Sequence, residues 1–202
     1  YWEVTKLKYY TRQIVDGAHF TPTYVEKGVP FLRVTDISKE FSTKIDWTRS
    51  KYIPANEHYE LIKRANPEKG DVLLSKNGTI GITKVIDWDE EFSFFVSLCL
   101  LKFTKTLDPY FFCQFFDSPL VYQQIAFGSS RTSVTNLHLE KIKELLIVIP
   151  PIEEQKNLSI HLTKINSDFR KVIVAQQTQI EKLKEYKATL IDSAVTGKLK
   201  VN

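Results

Sequence analysis

The residues best suited to chemistry lie in the stretch FGSSRTSVTNLHLEKI, residues 127–142. Arginine binds phosphates and guanine through two parallel hydrogen bonds, and hydroxyl groups bind phosphates or base edges. Such a stretch could form a nucleophile loop, an anion-binding loop, a surface that contacts DNA bases, or only an exposed connection. It contains neither Asp nor Glu before Glu140, which is unusual for a loop selected only for solubility. The polar and basic side chains that we take as candidates for DNA contact are Ser129, Ser130, Arg131, Thr132 and Ser133.

Two further loops carry hydrogen-bond donors. The Asn-Gly pair at residues 77–78 predicts a hairpin tip, because both turn residues must tolerate a positive φ. A lysine at such a tip can contact phosphate or guanine, and an asparagine can pair with adenine. The alternative for each loop is an exposed turn without function. The candidate DNA-contacting side chains here are Lys76, Asn77 and Thr79, joined by Thr35 and Lys39 after an earlier strand.

Catalytic motifs are missing from this sequence. It contains no GxxxxGK[ST] phosphate loop, GxGxxG, GxSxG or HExxH motif, and no Asn/Asp-Pro-Pro-aromatic tetrad of a base methyltransferase. Glu154-Gln155-Lys156 is similar to a nuclease motif, but nuclease sites need acids that converge on a metal ion from separate strands. The four histidines are scattered, and neither cysteine has a second ligand nearby. We therefore expect no catalytic residue, no metal, and two buried, reduced thiols at Cys99 and Cys113.

The composition is that of a folded protein that needs no membrane. The 202 residues are 43% hydrophobic and 26% charged, with a net charge of +4 that permits nucleic-acid binding without indicating it. Apolar stretches are too short to span a bilayer, and the first ten residues do not have the layout of a signal peptide. A cytoplasmic location is expected. Since the sequence contains no methionine, we also expect it to be trimmed or part of a longer product.

The chain changes character at Pro150-Pro151. Residues 1–150 alternate short strand and helix patterns, which predicts an α/β (α+β) domain with a mixed or antiparallel sheet. Asp108-Pro109 and Ser118-Pro119 each combine a capping side chain with a proline, so both should begin helices. The predicted strands are 30–34, 71–75, 79–86, 92–103 and 145–149, and the predicted helices are 55–64, 109–116, 119–126 and a turn at 139–143.

Residues 151–202 predict one long coiled-coil-forming helix. Apolar side chains recur at alternating steps of four and three residues, which is the spacing of a coiled-coil seam. Two polar seam positions adjoin each other, and such residues usually fix register or partner choice. A single helix cannot bury this seam, so a second helix must pair with it. The predicted helix-pairing residues are Leu158, Leu162, Ile165, Phe169, Val172, Gln176, Gln179, Leu183, Tyr186 and Leu190.

Several of these segments occur in an order typical of one protein family. GVPFLRVTDI begins at Gly28, KGDVLLS at Lys69 and GTIG at Gly78. PPIEEQ then opens the helix at Pro150, and LKEYKATLI runs into AVTGK at Ala194. Over its full length the chain resembles the DNA-specificity (S) subunit of Type I restriction–modification systems.

The resemblance implies a division of labour. Residues 1–150 would be a target-recognition domain that reads one half of a bipartite double-stranded DNA site. Residues 151–202 would be a helical spacer that pairs antiparallel with a second helix and sets the distance between the half-sites. It would also dock methyltransferase (M) subunits, with restriction (R) subunits in the full complex. The subunit would be no enzyme, and S-adenosylmethionine, ATP and Mg²⁺ would belong to its partners. Because base-contacting residues vary most in this family, the resemblance assigns none of them.

The chain departs from the family in one respect. The usual subunit has two recognition domains and two spacer helices, whereas this sequence has one of each. We expect either a half-subunit that pairs with a second copy or one half of a longer protein. The competing hypothesis is a coiled-coil scaffold that tethers methyltransferase or nuclease subunits without reading DNA itself.

Arg131 gives the first testable prediction. If it reads a guanine, Arg131→Ala should cost about 1–3 kcal/mol of binding free energy and relax the preference at one base pair. If it contacts phosphate, the variant should instead weaken binding to all sequences and lower the salt dependence. Affinity measured on a panel of single-base variants distinguishes these outcomes, and unchanged affinity and preference would exclude both roles.

Overall fold

The computed structural model describes residues 2–37, 44–126 and 136–198. The chain forms two compact units, Tyr1–Ser159 and Ile160–Asn202. The sequence-based boundary lies at residues 150–151, so the first two turns of the long helix group with the globular unit. No helix of the described part of the chain is both long and apolar enough to cross a membrane.

The described residues of the globular unit form nine strands and several short helices. The strands are β1 (Glu3–Lys6), β2 (Thr11–Asp16), β3 (Val29–Leu32), β4 (Lys51–Ile53), β5 (Val72–Ser75), β6 (Thr83–Val85), β7 (Ser93–Phe94), β8 (Leu98–Phe103) and β9 (Leu146–Ile149). The helices are α1 (Val34–Ile37), α2 (Ala55–Ile62), α3 (Pro109–Phe116), α4 (Pro119–Ala126), α5 (Leu139–Glu144) and the long α6 (Ile152–Val195), with 3₁₀ turns at Leu7–Tyr10 and Trp47–Arg49.

Three sheets organise these strands. Their orders are β2-β8-β5-β6, β4-β3-β7 and β1-β9. All pairs are antiparallel except β3 with β7, which is parallel. The mixed α/β class with a long C-terminal helix is therefore confirmed.

The central sheet is buried on both faces. Val72, Leu74, Cys99 and Leu101 pack towards α3 and α4 in one core cluster. Leu73, Leu98 and Leu100 face the opposite way, in a second cluster that contains Leu32 and Phe94. Because both faces are covered, β5 and β8 are nearly continuous apolar runs without polar alternation.

The predicted strand at 92–103 is two strands in different sheets. Phe94 ends β7 beside β3, and Leu98 begins β8 beside β5. Between them the Leu98 amide donates to the Phe95 carbonyl (2.9 Å), which closes a turn. Residues 92–103 are hydrophobic almost throughout because both strands are buried, so the sequence pattern did not indicate that the chain passes from one sheet to another.

Helices α3 and α4 occupy the predicted ranges, but their caps differ. The Asp108 carboxylate accepts from the Phe111 amide (2.8 Å), as predicted. The Ser118 hydroxyl, by contrast, has no hydrogen-bond partner among the described residues, and the Ser118 carbonyl accepts from the Val121 amide instead (3.1 Å). The predicted side-chain cap at Ser118 is therefore wrong.

Cys99 and Cys113 are free thiols, and burial raises the pKa of Cys113 to about 12.

The start of α6 is held by one buried amide. Gln155 is fully buried, and its Oε1 accepts from the Asp108 amide (2.8 Å). Its Nε2 donates to the carbonyls of Thr106 (3.0 Å) and Pro150 (2.8 Å). Leu158 also packs against the core of the globular unit. The glutamine of the PPIEEQ motif thus satisfies backbone groups that would otherwise be buried without partners.

The rest of α6 exposes its apolar side chains. Phe169 is 64% exposed, Leu183 67% and Val195 82%. Gly197, with φ of 73°, follows the helix end as predicted. Since Leu158 packs against the globular core, the exposed part of the predicted seam begins at Leu162.

A buried ion pair beside β5 gives a stability prediction. The Lys102 ammonium lies 2.6 Å from Asp71 and 2.6 Å from Glu68, and burial raises the pKa of Asp71 against the opposing effect of Lys102. Lys102→Met should lower the free energy of unfolding by about 3–5 kcal/mol, because it leaves a buried carboxylate without its partner. Urea denaturation measures this, with the exposed Lys105→Met as control. Adding Asp71→Asn to Lys102→Met should restore part of the loss, and an unaffected single variant would contradict the role of the pair.

Candidate nucleic-acid interface

Four strand termini meet at one end of the central sheet. β2 ends at Asp16 and β5 ends at Ser75, while β8 begins at Leu98 and β6 begins at Thr83. Antiparallel pairing therefore puts the loops that continue from these four termini at the same end of the sheet. We call it the loop end, comprising residues 17–24, 33–37, 76–82, 95–97 and 136–137.

Hydrogen bonds tie these loops to one another. The Lys76 amide donates to the Ser97 carbonyl (2.9 Å), and the Lys76 carbonyl accepts from the Leu137 amide (2.7 Å). Asn77 and Asn136 form an isolated antiparallel bridge. Asn136, the first described residue after α4, therefore lies beside the loop after β5. The Phe95 amide also donates to the Leu32 carbonyl (3.0 Å), which joins the loop after β3 to the same end.

The predicted contact residues are partly described. Thr35 and Thr79 are exposed, and Asn77 is half-buried. Lys39 and the five candidates Ser129, Ser130, Arg131, Thr132 and Ser133 lie outside the described residues. Their contacts with DNA stay predictions.

Lys76 does not project from a hairpin tip, and that expectation is wrong. Only 6% of the residue is exposed, and its ammonium lies 3.5 Å from the Asp16 carboxylate. The connection between β5 and β6 spans residues 76–82, and Lys76 continues the backbone pairing with Ser97. The side chain consequently turns inward beside β2 instead of towards solvent.

Asp16 gathers three cationic or protonatable side chains. His19 Nε2 lies 3.0 Å from its carboxylate, Arg64 donates a hydrogen bond to it, and Lys76 approaches from the buried side. Burial alone would raise the pKa of Asp16, but hydrogen bonds from His19 and Arg64 outweigh it, so the pKa lies below its ordinary value. The cluster therefore contains one carboxylate and two permanently charged cations, Arg64 and Lys76, so its net charge is positive.

Two members of this cluster are accessible to a ligand. The Arg64 side chain is 53% exposed and the His19 side chain is 60% exposed. Arg64 is also fixed by a hydrogen bond from its guanidinium to the Gly17 carbonyl (3.2 Å). A guanidinium that is fixed but exposed is suited to binding phosphate.

The sequence analysis missed the loop after β2, which reads GAHFTPTY. Phe20 is 56% exposed and Tyr24 42% exposed. The loop itself, with His19 and these two aromatic residues, contains no acidic residue. That absence of acids over eight residues was the available signal in the sequence. Gly17 is required here, because a Cβ would lie 2.0 Å from the Phe94 carbonyl oxygen.

The guanidinium of Arg33 is paired with a carboxylate of the same protein. Its backbone amide and Nε donate to Asp36 Oδ2 (2.8 and 3.2 Å), which neutralises its charge at the start of α1. In the described part of the chain no group of three or more His, Cys, Asp or Glu side chains could hold a metal ion. Glu153 and Lys156 form an ion pair (2.7 Å) within the first turns of α6, where helix geometry alone accounts for it.

Comparison with known proteins identifies the family. The family model described as Type I restriction modification DNA specificity domain matches residues 26–185. The chain belongs to this family. Recognition of the DNA target is the general role of such specificity subunits.

Known relatives are about twice as long as this chain. A protein of Methanocaldococcus jannaschii, named as the MjaX type I restriction enzyme specificity subunit, is 29% identical over 208 residues, covering 96% of this chain and 45% of its own length. The chain therefore spans less than half the length of this specificity subunit.

Solved structures share the fold. A chain from a study of complex assembly and conformational transition of the type I R-M system aligns with a TM-score of 0.70 at 20% identity, over 96% of this chain and 45% of that one. The HsdS subunit from Thermoanaerobacter tengcongensis aligns with a TM-score of 0.62 at 18% identity, over 98% and 45%.

The Asp16 cluster gives a prediction with a pH dependence. Asp16→Asn should lower the free energy of unfolding at pH 7 by about 3 kcal/mol, because the Lys76 ammonium stays buried without a carboxylate. The pKa of Asp16 lies below 3.8 in the folded protein, so its contribution is complete above pH 3.8 and is lost as the pH falls through the folded pKa. The difference between wild type and variant should therefore shrink in acid. Chemical denaturation from pH 7 to pH 2 measures it, with the exposed Asp89→Asn as control; a difference independent of pH would contradict the assignment.

Proposed function

We propose that this chain is a non-catalytic DNA-recognition subunit that reads one half of a bipartite target through its loop end. The observation that carries the proposal is the convergence of loops from five separate segments around the positive Asp16 cluster. Family membership supports the same role. Loops on a rigid sheet can be varied without disturbing the core, which suits a surface that must read different sequences.

The proposed phosphate contacts are His19 of the loop end and Arg64, which is bonded to Asp16 beside it. Their side chains are exposed, and Asp16 fixes their positions without cancelling the local positive charge. Phosphate contacts position a protein on DNA but carry no sequence information directly. Lys76 supports this arrangement from the buried side and is a positioning residue.

Base reading is assigned to the polar and aromatic side chains around this cluster. Thr35, Asn77 and Thr79 offer hydrogen-bonding groups, and Phe20 offers an apolar surface for a thymine methyl group or a base face. The candidates in the stretch 129–133 and Lys39 complete this proposed surface. Asn136 brings the end of that stretch to Asn77, which supports their inclusion.

The long helix is the proposed assembly element. Its exposed apolar side chains support pairing with a second copy or a second half-subunit, and docking of methyltransferase and restriction subunits. S-adenosylmethionine, ATP and Mg²⁺ are assigned to those partners, and the complex to the cytoplasm. The alternative, a scaffold that does not read DNA, shares the helix but gives no role to the loop end.

Selection from a random-sequence DNA pool separates these two functions. The chain is combined with its methyltransferase subunit, and bound DNA is sequenced after several rounds at moderate salt. Enrichment of a short motif supports recognition, and a motif in two separated parts supports bipartite reading. A complex that assembles but enriches no motif would favour the scaffold.

Arg64 provides the site-specific prediction. Arg64→Gln should weaken binding to all sequences and lower the dependence of log affinity on log salt by about 1, because one phosphate contact is lost. Lys63→Gln is the matched control, since Lys63 is the adjacent cation but is paired with Glu60 and 67% exposed. Binding titrations across salt concentrations measure both, and unfolding curves verify that each variant is folded. Equal effects of the two substitutions would contradict a specific role for Arg64.

A further inference from the structure

A cavity of about 220 Å³ opens beside the Asp16 cluster, between the loop after β2, the end of α2 and strand β7. Much of its wall is apolar, and the apolar residues that line it are Ala18, Phe20, Leu61, Ala65 and Phe94. Sites for drug-sized ligands measure roughly 300–1,000 Å³, so this smaller cavity suits one flat ring system.

Two hydrogen-bonding side chains that line the same cavity reach solvent. The Arg64 side chain is 53% exposed and the His19 side chain 60% exposed, which places both at the mouth. Glu60 also lines the cavity, but the Lys63 ammonium lies 2.7 Å from its carboxylate and balances its charge. The mouth therefore suits an anion, and the apolar interior suits an uncharged ring.

The cavity is preformed, because the loop after β2 is held at both ends. The Ala18 amide donates to the Phe94 carbonyl (2.9 Å), and the Thr23 amide donates to the Glu57 carboxylate (3.1 Å). Phe20 lies between these two attachments and is 56% exposed. A ligand that stacks on this ring meets an aromatic surface whose backbone is already positioned, so little ordering is needed on binding.

One buried hydroxyl on the wall offers a hydrogen-bond acceptor. Ser93 lines the cavity, and its Oγ lies 2.9 Å from Nδ1 of the buried His58. Burial lowers the pKa of His58, so the imidazole is neutral at pH 7, and its Nε2 lies 3.8 Å from the Glu91 carboxylate. A proton on Nε2 is favoured by that carboxylate and makes Nδ1 the acceptor of the Ser93 hydroxyl. The lone pairs of Ser93 then remain for an N–H group of a ligand.

From these features we propose that the cavity binds one nucleotide, with its base stacked on Phe20 and its phosphate on Arg64 and His19. The nucleotide is either a unit of the DNA strand turned out of the helix or a free mononucleotide, since both have this chemistry. Turning a base out of DNA costs stacking and pairing, which contacts with Phe20 and the apolar walls offset. The proposal rests on the proposed function, in which Arg64 and His19 contact phosphate, and adds a binding site for the base.

A mismatch scan tests the DNA strand as the source of the nucleotide. In the motif obtained by selection, each base is paired in turn with a wrong partner on the opposite strand. The full chain is used without its methyltransferase subunit, so that a base taken up by that subunit contributes nothing. Binding should tighten by about tenfold or more at one position, because the broken pair removes much of the cost of turning that base out. At the other positions binding should weaken or stay unchanged.

Substitutions of Phe20 connect this response to the cavity. Phe20→Ala should weaken binding of the fully paired motif by about 5- to 150-fold, because the stacking contact is lost, and should remove the tightening at the single mismatch position. Phe20→Trp should preserve both. Tyr59→Ala is the matched control, since Tyr59 on α2 is 57% exposed. A Phe20→Ala chain that keeps the mismatch response would overturn the assignment of the base to this cavity.

Saturation-transfer NMR with the deoxynucleoside 5′-monophosphates tests the free nucleotide as the source. Base protons should receive saturation from the wild-type chain and not from Phe20→Ala. Arg64→Gln should remove the preference for a monophosphate over its nucleoside, because the phosphate contact is lost, whereas Lys63→Gln should retain it. A preference unchanged by Arg64→Gln would contradict the placement of the phosphate at the mouth.

The two experiments separate the sources and the two proposals. Tightening at one mismatch position without mononucleotide binding identifies the DNA strand as the source, and the reverse result identifies the free nucleotide. Neither response in the folded wild-type chain would overturn the cavity as a nucleotide site, while an enriched motif would leave DNA recognition standing. If selection enriches no motif, the proposed function fails and mononucleotide binding alone decides the role of the cavity.

Discussion

The burial of strands β5 and β8 on both faces is the constraint on which the rest of the globular unit depends. Their apolar side chains alternate between two core clusters, so neither face of the central sheet is available for binding. Ligand contact must then come from the strand ends. The antiparallel order β2-β8-β5-β6 puts several of those ends together, and polar loops that are far apart in sequence become neighbours. The proposed recognition surface is thus a consequence of how the core is closed.

The charge of the buried Asp16 carboxylate is balanced by side chains at and beside the loop end. A buried carboxylate is costly unless it is paired, and three side chains from separate segments supply the pairing. The same arrangement holds Arg64 in an exposed position and leaves the edge positive. Structural stability and suitability for an anionic ligand therefore arise from one cluster.

The long helix α6 is anchored at its start and exposed along the rest of its length. Gln155 binds three backbone groups and fixes where the helix leaves the globular unit, while the side chains beyond Ser159 remain exposed. An exposed apolar stripe of this length is stable in water only when another helix covers it. Two polar residues, Gln176 and Gln179, interrupt the predicted seam, and polar residues at such positions usually cost stability and fix register or partner.

Local patterns in the sequence determined much of this protein. The proline-led helices α3 and α4, the strand of β9 and the whole of α6 follow from residues close together in the chain, since caps and periodicity act over a few residues. The PPIEEQ and AVTGK segments that bound α6 also carried the family resemblance.

The predicted position of Lys76 at a hairpin tip was wrong, because whether its side chain points inward depends on Asp16, sixty residues earlier. The division of residues 92–103 between two sheets, and the meeting of Asn77 with Asn136, likewise depend on pairing partners distant in sequence. Only the tertiary structure decided these, because long-range strand pairing is set by how the whole core packs and leaves no periodic signal in the chain itself.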